Sequence, residues 1–301
     1  MIGAVTRRHL ALLCLGVVAV SFSAVFVRLA DAPALAVAFY RCLFASLVLV
    51  PWALLRHREA LRGMPAGQRR LLVWSGLALA AHFATWISSL SFTSVAAAAV
   101  LVQTMPIWVA LLGPAFAERT PRAAWLGIGI ALAGTLVIGG GGSDGGGRAL
   151  MGDALATAGA IFAAVYVLIG RRARRTLGVV PYTAVVYAVS GCALAVAMLA
   201  TGTRFTGFGA ETWLLLVAIT IGPQFLGHSV FIYLLKHLRA SVISVALLAE
   251  PVGATILAFV VLDEVPATVT LLGGAVILVG VYLAIRAESE AGRELAEVPL
   301  E

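Results

Sequence analysis

Ten long runs of apolar residues follow one another along the chain, separated by short polar connections. They fall at residues 9–29, 33–55, 70–91, 93–116, 122–139, 149–170, 180–200, 212–235, 239–261 and 267–286. A helix needs about 20 apolar residues to cross the roughly 30 Å of hydrocarbon in a bilayer. The pattern therefore predicts an all-α integral membrane protein with ten transmembrane helices.

The composition excludes a soluble protein. Hydrophobic residues make up 61% of the chain and charged residues 12%, with a mean hydropathy of +1.03, whereas soluble domains carry about 25% charged residues. The lipid bilayer is therefore the expected surroundings of most of the surface.

The formal net charge of +7 first suggests nucleic-acid binding, as for any basic chain. However, apart from Arg28, Arg41, Arg148 and Arg204, the lysine and arginine residues all lie on one side if the N-terminus is cytoplasmic. This asymmetry follows the positive-inside rule. It predicts a multi-pass protein of the cell inner membrane with both termini in the cytoplasm, and it leaves no need for a nucleic-acid partner.

The two halves of the chain resemble each other at a shift of 146 residues. The shift places His82 on His228, Glu118 on Glu264, Gly127 on Gly273 and Gly134 on Gly280. A five-helix unit begins and ends on opposite sides of the membrane, so the second copy must be inverted. We predict a first repeat at 1–139, a glycine-rich extracytoplasmic linker at 140–148, a second repeat at 149–287 and a cytoplasmic tail at 288–301. A homodimer is compatible with this plan but not required by it.

Two ionisable residues lie deep inside apolar runs, Glu250 in the ninth and Arg41 in the second. A charge in hydrocarbon costs several kcal/mol unless it is paired or hydrated, which makes such residues functional candidates. Glu250 is a candidate to bind an amino group or a proton, and Arg41 to bind a carboxylate or phosphate. Alternatively, the two neutralise each other, or they cap backbone groups freed at a kink and hold the halves in register.

Polar and aromatic residues surround these charges at helical spacing. His82 and Trp86 share one face of the third helix, and Gln224 and His228 repeat the four-residue spacing in the eighth. Tyr40 precedes Arg41 and is assigned either to the cavity or to the interfacial aromatic belt. No third or fourth ligand accompanies the two histidines, so neither a metal nor a cofactor is predicted.

Proline interrupts the fourth and ninth runs at corresponding positions, at Pro106 and Pro251. Interrupted helices at matching positions of two inverted halves indicate the binding site of a carrier. Gln103 lies just before the first proline and Glu250 just before the second. The predicted substrate-binding set is therefore Tyr40, Arg41, His82, Trp86, Gln103, Gln224, His228 and Glu250.

Short motifs also carry a family resemblance: Phe39-Tyr40-Arg41, Glu118-Arg119-Thr120-Pro121 and Glu250-Pro251-Val252. With the four paired glycines, they resemble the drug/metabolite transporter superfamily, in particular its ten-helix EamA-type members. The resemblance implies two inverted repeats, a central cavity and alternating access without ATP. The chain is similar to the YddG-type amino-acid exporters and more distantly to sugar-phosphate and nucleotide-sugar exchangers.

We therefore expect a secondary active or facilitative transporter that exports a small metabolite such as an amino acid. The alternatives are another small organic solute, such as a nucleoside, a sugar phosphate or a drug-like cation, or a passive facilitator. A single cation near the midplane, Arg41, argues against a doubly anionic substrate. An enzyme is not expected, because neither the zinc-protease motif HExxH nor a dense cluster of carboxylates occurs.

Overall fold

The computed structural model describes residues 6–93, 98, 101–139, 147–262 and 268–297, and within these ranges it contains helices and no strand. The helices are α1 Arg7–Leu29, α2 Ala34–Arg56, α3 Arg58–Arg62, α4 Ala66–Ser89, α5 Met105–Leu112, α6 Arg122–Gly139, α7 Gly147–Arg174, α8 Val179–Thr201, α9 Ala210–Leu234, α10 Ala240–Leu247, α11 Glu250–Leu262 and α12 Thr268–Glu297. Within α9, Thr220–Ser229 is π-helical.

Seven of these helices are long and apolar enough to cross a membrane: α1, α2, α4, α7, α8, α9 and the part of α12 at Leu271–Ala291. Three shorter apolar segments accompany them among the described residues, Met105–Phe116, Arg122–Val137 and Ala240–Gly253. Each predicted apolar run therefore contains one of these helical segments among the described residues. Two boundaries differ, since α7 begins inside the predicted linker and α12 continues to Glu297, through most of the predicted tail.

The fourth and ninth predicted helices are interrupted. Residues 103–104 form a turn before α5, and residues 248–249 form a turn between α10 and α11. Pro106 and Pro251 are each the second residue of the helix that follows, where a missing backbone N–H and a fixed φ cost nothing. The turns leave unwound backbone beside Gln103 and Glu250, in the middle of the protein.

Helices α6 and α12 approach each other closely through glycine. A Cβ added to Gly127 would lie 2.6 Å from the Gly280 carbonyl oxygen, and one added to Gly280 would lie 2.6 Å from that of Gly127. A Cβ on Gly134 would lie 2.7 Å from the Gly273 carbonyl oxygen. Small residues of this kind let membrane helices pack backbone to backbone. Gly127 therefore contacts Gly280, and Gly134 contacts Gly273, so neither glycine contacts its own partner in the 146-residue shift.

Replacing Gly127 with alanine should destabilise the protein, because the added methyl group meets backbone rather than a flexible side chain. Overpacking of this kind costs about 1–3 kcal/mol. The matched control is Gly129→Ala on the same helix, where an added Cβ meets nothing within 4 Å. Alanine is favoured over glycine in a helix by about 1 kcal/mol, so Gly129→Ala should not lower the thermal unfolding midpoint in detergent. Equal midpoints for the two variants would contradict the close α6–α12 contact.

Most of the arginine residues gather at one end of the molecule, where α1 and α4 begin and α2 and α7 end; we name it the arginine-rich end. Contacts tie its segments together. The rings of His9 and His237 stack with centroids 5.4 Å apart, and Gln68 Nε2 donates to Thr176 Oγ1 at 3.1 Å. Burial, together with nearby His9 and Lys236, lowers the pKa of His237.

Candidate functional site

A central cavity lies between α1, α2, α4, α5, α7, α9, α10 and α11. It contains about 790 Å³ of empty space, its open mouth included. Most of the predicted site residues line it: Arg41, His82, Trp86, Gln103, His228 and Glu250. Apolar side chains such as Val20, Phe83 and Met105 form the rest of its wall. A few polar groups in an apolar cavity are the usual composition of a small-molecule site.

Arg41 is a buried cation, and one of its hydrogen-bond donors has no partner among the described residues. Its side chain is 1% exposed, Nε donates to Gln224 Oε1 at 2.8 Å, and the guanidinium carbon lies 3.9 Å from the centroid of the Phe83 ring. Among the described residues Nη2 has no hydrogen-bond partner. A buried donor without a partner is costly, so a bound anion would satisfy it. Gln224 itself does not line the cavity, and it contacts the site through this hydrogen bond to Arg41.

Gln224 reaches Arg41 because of the irregular turn of its helix. It is fully buried within the π-helical section of α9, and such sections are frequent at functional sites. Its Nε2 also finds no partner in the described part of the chain. This residue therefore adds a second unused donor beside the guanidinium.

Glu250 supplies the opposite charge. It is the first residue of α11, where the helix dipole stabilises a carboxylate. Gln103 Nε2 donates to its Oε2 at 3.4 Å, and Ser21 Oγ donates to its backbone oxygen at 3.3 Å. Within the described residues Glu250 and Arg41 do not form an ion pair, since no N–O distance between them is 4.0 Å or less. The two side chains are therefore not in direct contact, although each lies within the electrostatic field of the other.

The two histidines related by the 146-residue shift meet at the centre of the cavity. The ring centroids of His82 and His228 are 6.4 Å apart, and His82 stacks on Trp86 at 6.1 Å. His82 Nδ1 lies 2.9 Å from the Gly159 carbonyl oxygen, which can only accept, so this nitrogen carries the proton. In the described ranges no three His, Cys, Asp or Glu side chains converge to hold a metal ion.

The EamA-like transporter family matches residues 8–140 and, a second time, residues 150–286. The chain belongs to the EamA-like transporter family. It is a membrane transporter that crosses the bilayer several times, as its apolar helices require. This confirms the sequence-based prediction of family, of membrane insertion and of transport.

Relatives of similar length support the assignment. Two proteins of Archaeoglobus fulgidus, each named an uncharacterized transporter, are similar to this chain. One is 28% identical over 253 residues, covering 82% of this chain and 86% of the relative. The other is 26% identical over 272 residues, covering 87% and 90%. A protein of known crystal structure shares the fold, with a TM-score of 0.78 and 21% identity over 95% of this chain and 97% of that one.

Tyr40 does not line the cavity, contrary to its place in the predicted set. Its hydroxyl donates to the Phe205 carbonyl oxygen at 2.6 Å, and its ring packs edge-on against Trp213 with centroids 4.8 Å apart. Successive residues of a helix point about 100° apart, so Tyr40 and its neighbour Arg41 face different sides of α2. Tyr40 therefore anchors the connection between α8 and α9, at the end opposite the arginine-rich end.

Removing the Tyr40 hydroxyl should cost stability and not transport. Tyr40→Phe keeps the ring contacts but loses the bond to Phe205, which is worth about 1 kcal/mol. We expect a slightly lower thermal midpoint and an unchanged transport rate in proteoliposomes. A tenfold loss of transport at an unchanged midpoint would instead place Tyr40 in the substrate path.

The structure also brings residues to the cavity that were absent from the predicted set. Phe83 and Ser23 both line it, and among the described residues the buried Ser23 hydroxyl has no hydrogen-bond partner. An apolar ring in an apolar run carries no sequence signal. Ser23 belongs to a small-residue stretch, Ser21-Phe22-Ser23, which packing explains equally well, so only the tertiary fold identifies it.

An ionic cluster lies at the arginine-rich end, close to the cavity. Glu118 Oε1 accepts from Arg171 Nε at 3.1 Å and from Arg175 Nη2 at 2.9 Å. Arg171 also donates to the backbone oxygen of Leu235, a residue that lines the cavity. In a neighbouring pair, Arg239 Nη1 lies 3.1 Å from Glu288 Oε2. These bonds connect the segment after α5 with α7, and the start of α10 with α12.

Proposed function

We propose that this EamA-family protein exports a small zwitterionic metabolite, such as an amino acid, by alternating access. The observation that carries the proposal is the pair of oppositely charged side chains that line the cavity, the buried Arg41 and the half-buried Glu250, which form no ion pair with each other. A zwitterion satisfies both at once. A neutral solute can form hydrogen bonds with both groups but compensates neither charge.

The donors and acceptors suggest how an amino acid would bind. Its carboxylate would accept from Arg41 Nη2, because charge-assisted hydrogen bonds of this kind are the strong ones. Its ammonium group would donate to Glu250. The remaining side chain would lie against Trp86 and Phe83, which makes apolar and aromatic amino acids the best fit.

Several observations support ten transmembrane helices in two inverted repeats. The seven long helices and three shorter apolar segments account for every predicted run, and the family matches the chain twice. The contact between Gly127 and Gly280, carried through the 146-residue shift, becomes the contact between Gly273 and Gly134. A symmetry relation that exchanges the two halves of the chain converts each of these two contacts into the other. The breaks before α5 and α11, at residues 103–104 and 248–249, also correspond to within one residue of this shift.

The arginine-rich end fixes the proposed orientation. By the positive-inside rule it faces the cytoplasm of the inner membrane, which places both termini there. The two repeats would rock about the central cavity, exposing it to each side in turn. The ionic cluster around Glu118 lies between the cavity and the cytoplasm in this orientation, where it would have to open for substrate to enter.

The test uses purified protein in detergent and in proteoliposomes with a matched ligand series: an apolar amino acid, its amide without the carboxylate, and its des-amino acid without the ammonium. The intact amino acid should raise the thermal midpoint, by about 2.7 kcal/mol of stabilisation at one hundred times its Kd. Each derivative should stabilise far less. Labelled amino acid should also show saturable counterflow. Equal stabilisation by all three would reject the zwitterion, and non-saturable flux would indicate a passive facilitator.

A further inference from the structure

A second groove opens at the arginine-rich end, between the end of α2, α3, the start of α4 and α8. It encloses about 1090 Å³ including the space at its mouth. Three arginines line it, Arg58, Arg62 and Arg69, together with apolar residues such as Leu54 and Val73. We name it the basic groove. It shares no lining residue with the central cavity.

The three cations of the basic groove lie close together. Arg58 and Arg62 are four residues apart on α3 and so share a face. Arg69 is held in place because its Nε donates to the Met64 carbonyl oxygen at 2.9 Å and its Nη2 donates to that of Arg62 at 3.2 Å. Within the described residues none of the three forms an ion pair, and neither does the nearby Glu59. The groove therefore concentrates positive charge that no ion pair among the described residues neutralises.

The other half of the basic groove is apolar and faces outward. Leu54 is 54% exposed and Val73 43% exposed, and Val185 of α8 also lines the groove. Trp52 and Trp74 are exposed on the same two helices, as is usual for side chains at the level of lipid headgroups. Positive charge therefore borders an apolar surface at the height where a headgroup meets its acyl chains.

We propose that the basic groove binds an anionic phospholipid, with its phosphate at Arg58, Arg62 and Arg69 and an acyl chain along Leu54 and Val73. Basic pockets between membrane helices on the cytoplasmic side suit such headgroups. Inorganic phosphate shares the charge but leaves the apolar half uncovered. A second copy of this chain, packed by a two-fold axis, would bring the same arginines against each other.

The test compares lipids and variants by thermal unfolding and by native mass spectrometry. Phosphatidylglycerol added to detergent-purified protein should raise the midpoint and remain bound, while phosphatidylcholine should do neither. Arg58→Gln/Arg62→Gln/Arg69→Gln should lose both effects. The control Arg8→Gln/Arg122→Gln/Arg172→Gln removes the same charge from exposed positions at the same end and should keep them. If the triple groove variant does not fold, Arg58→Gln alone should retain less phosphatidylglycerol than Arg8→Gln.

Each contrary outcome rejects the proposal in its own way. Equal lipid loss in groove and control variants would show non-specific attraction. Equal stabilisation by inorganic phosphate would show an anion site without lipid. Dimers that dissociate only in the groove variant would assign the surface to a second copy. None of these outcomes depends on which substrate the central cavity transports. A failure of the lipid-binding proposal can therefore be distinguished from a failure of the transport proposal.

Discussion

Glu250→Gln should lower amino-acid counterflow at least tenfold. Glutamine keeps the size of the side chain and an oxygen that accepts from Gln103 Nε2, but it removes the negative charge that the substrate ammonium would meet. Hydrogen bonds to charged groups are worth about 1.5–3 kcal/mol, and a tenfold change in binding corresponds to about 1.4 kcal/mol. The thermal midpoint of the substrate-free protein should hardly change, because no ion pair within the described residues is broken.

The measurement is counterflow of labelled amino acid in proteoliposomes, with Glu211→Gln as the control. Glu211 is an exposed acid in the first turn of α9, away from the cavity, so its replacement should leave counterflow unchanged. The ligand series adds a second readout. In Glu250→Gln the des-amino acid should bind as well as the amino acid, because only the ammonium subsite is lost. Unchanged counterflow together with unchanged preference for the amino acid would remove Glu250 from the site.

The charges of the cavity were visible in the sequence because a charge inside an apolar run stands out. Arg41 and Glu250 could be named on that basis, and the 146-residue shift pointed to His82 and His228. The shift relates positions without giving distances, so the meeting of the two rings at 6.4 Å needed the tertiary fold. Whether these residues bind substrate stays a prediction.

Other features depend on local geometry that the apolar pattern does not encode. An apolar run predicts helix but not where its turns widen or break, so the π-helical section that turns Gln224 toward Arg41 had no signal. Pro106 and Pro251 indicated distortion without fixing the turns at residues 103–104 and 248–249. Tyr40 was assigned with Arg41 by adjacency, whereas helical rotation places the two on different sides of α2.

The pairing within the ionic cluster around Glu118 could not be predicted from the sequence. The sequence indicates Arg171 and Arg175 only as topology determinants, and Glu118 only as part of a family motif and of the 146-residue repeat, since each lies near a helix end where charges are usually solvated. Folding brings Glu118 to 7% exposure and Arg171 to 4%. Sequence separations of 53 and 57 residues carry no pairing information in a single chain, so burial of this pair had to be observed.

Glu118→Gln should therefore be among the most destabilising single substitutions. The change leaves the Arg171 guanidinium buried without a counter-charge, and breaking a buried ion pair from one side costs about 3–5 kcal/mol. Arg171→Met added to Glu118→Gln removes that uncompensated charge, so the double variant should recover part of the lost stability. Thermal unfolding midpoints in detergent, measured for both single variants and the double variant, give the coupling between the two residues.

The matched control is Glu290→Gln, which breaks the exposed pair between Arg286 Nε and Glu290 Oε1 at 2.7 Å. Its side chains are 61% and 57% exposed, and surface pairs are worth about 0–1 kcal/mol. The thermal unfolding midpoint of Glu290→Gln should stay close to that of the unaltered protein. Added salt should lower this midpoint only slightly. If Glu118→Gln were as mild as Glu290→Gln, the Glu118 carboxylate would be solvated rather than buried, and the ionic cluster could not close the cavity on that side.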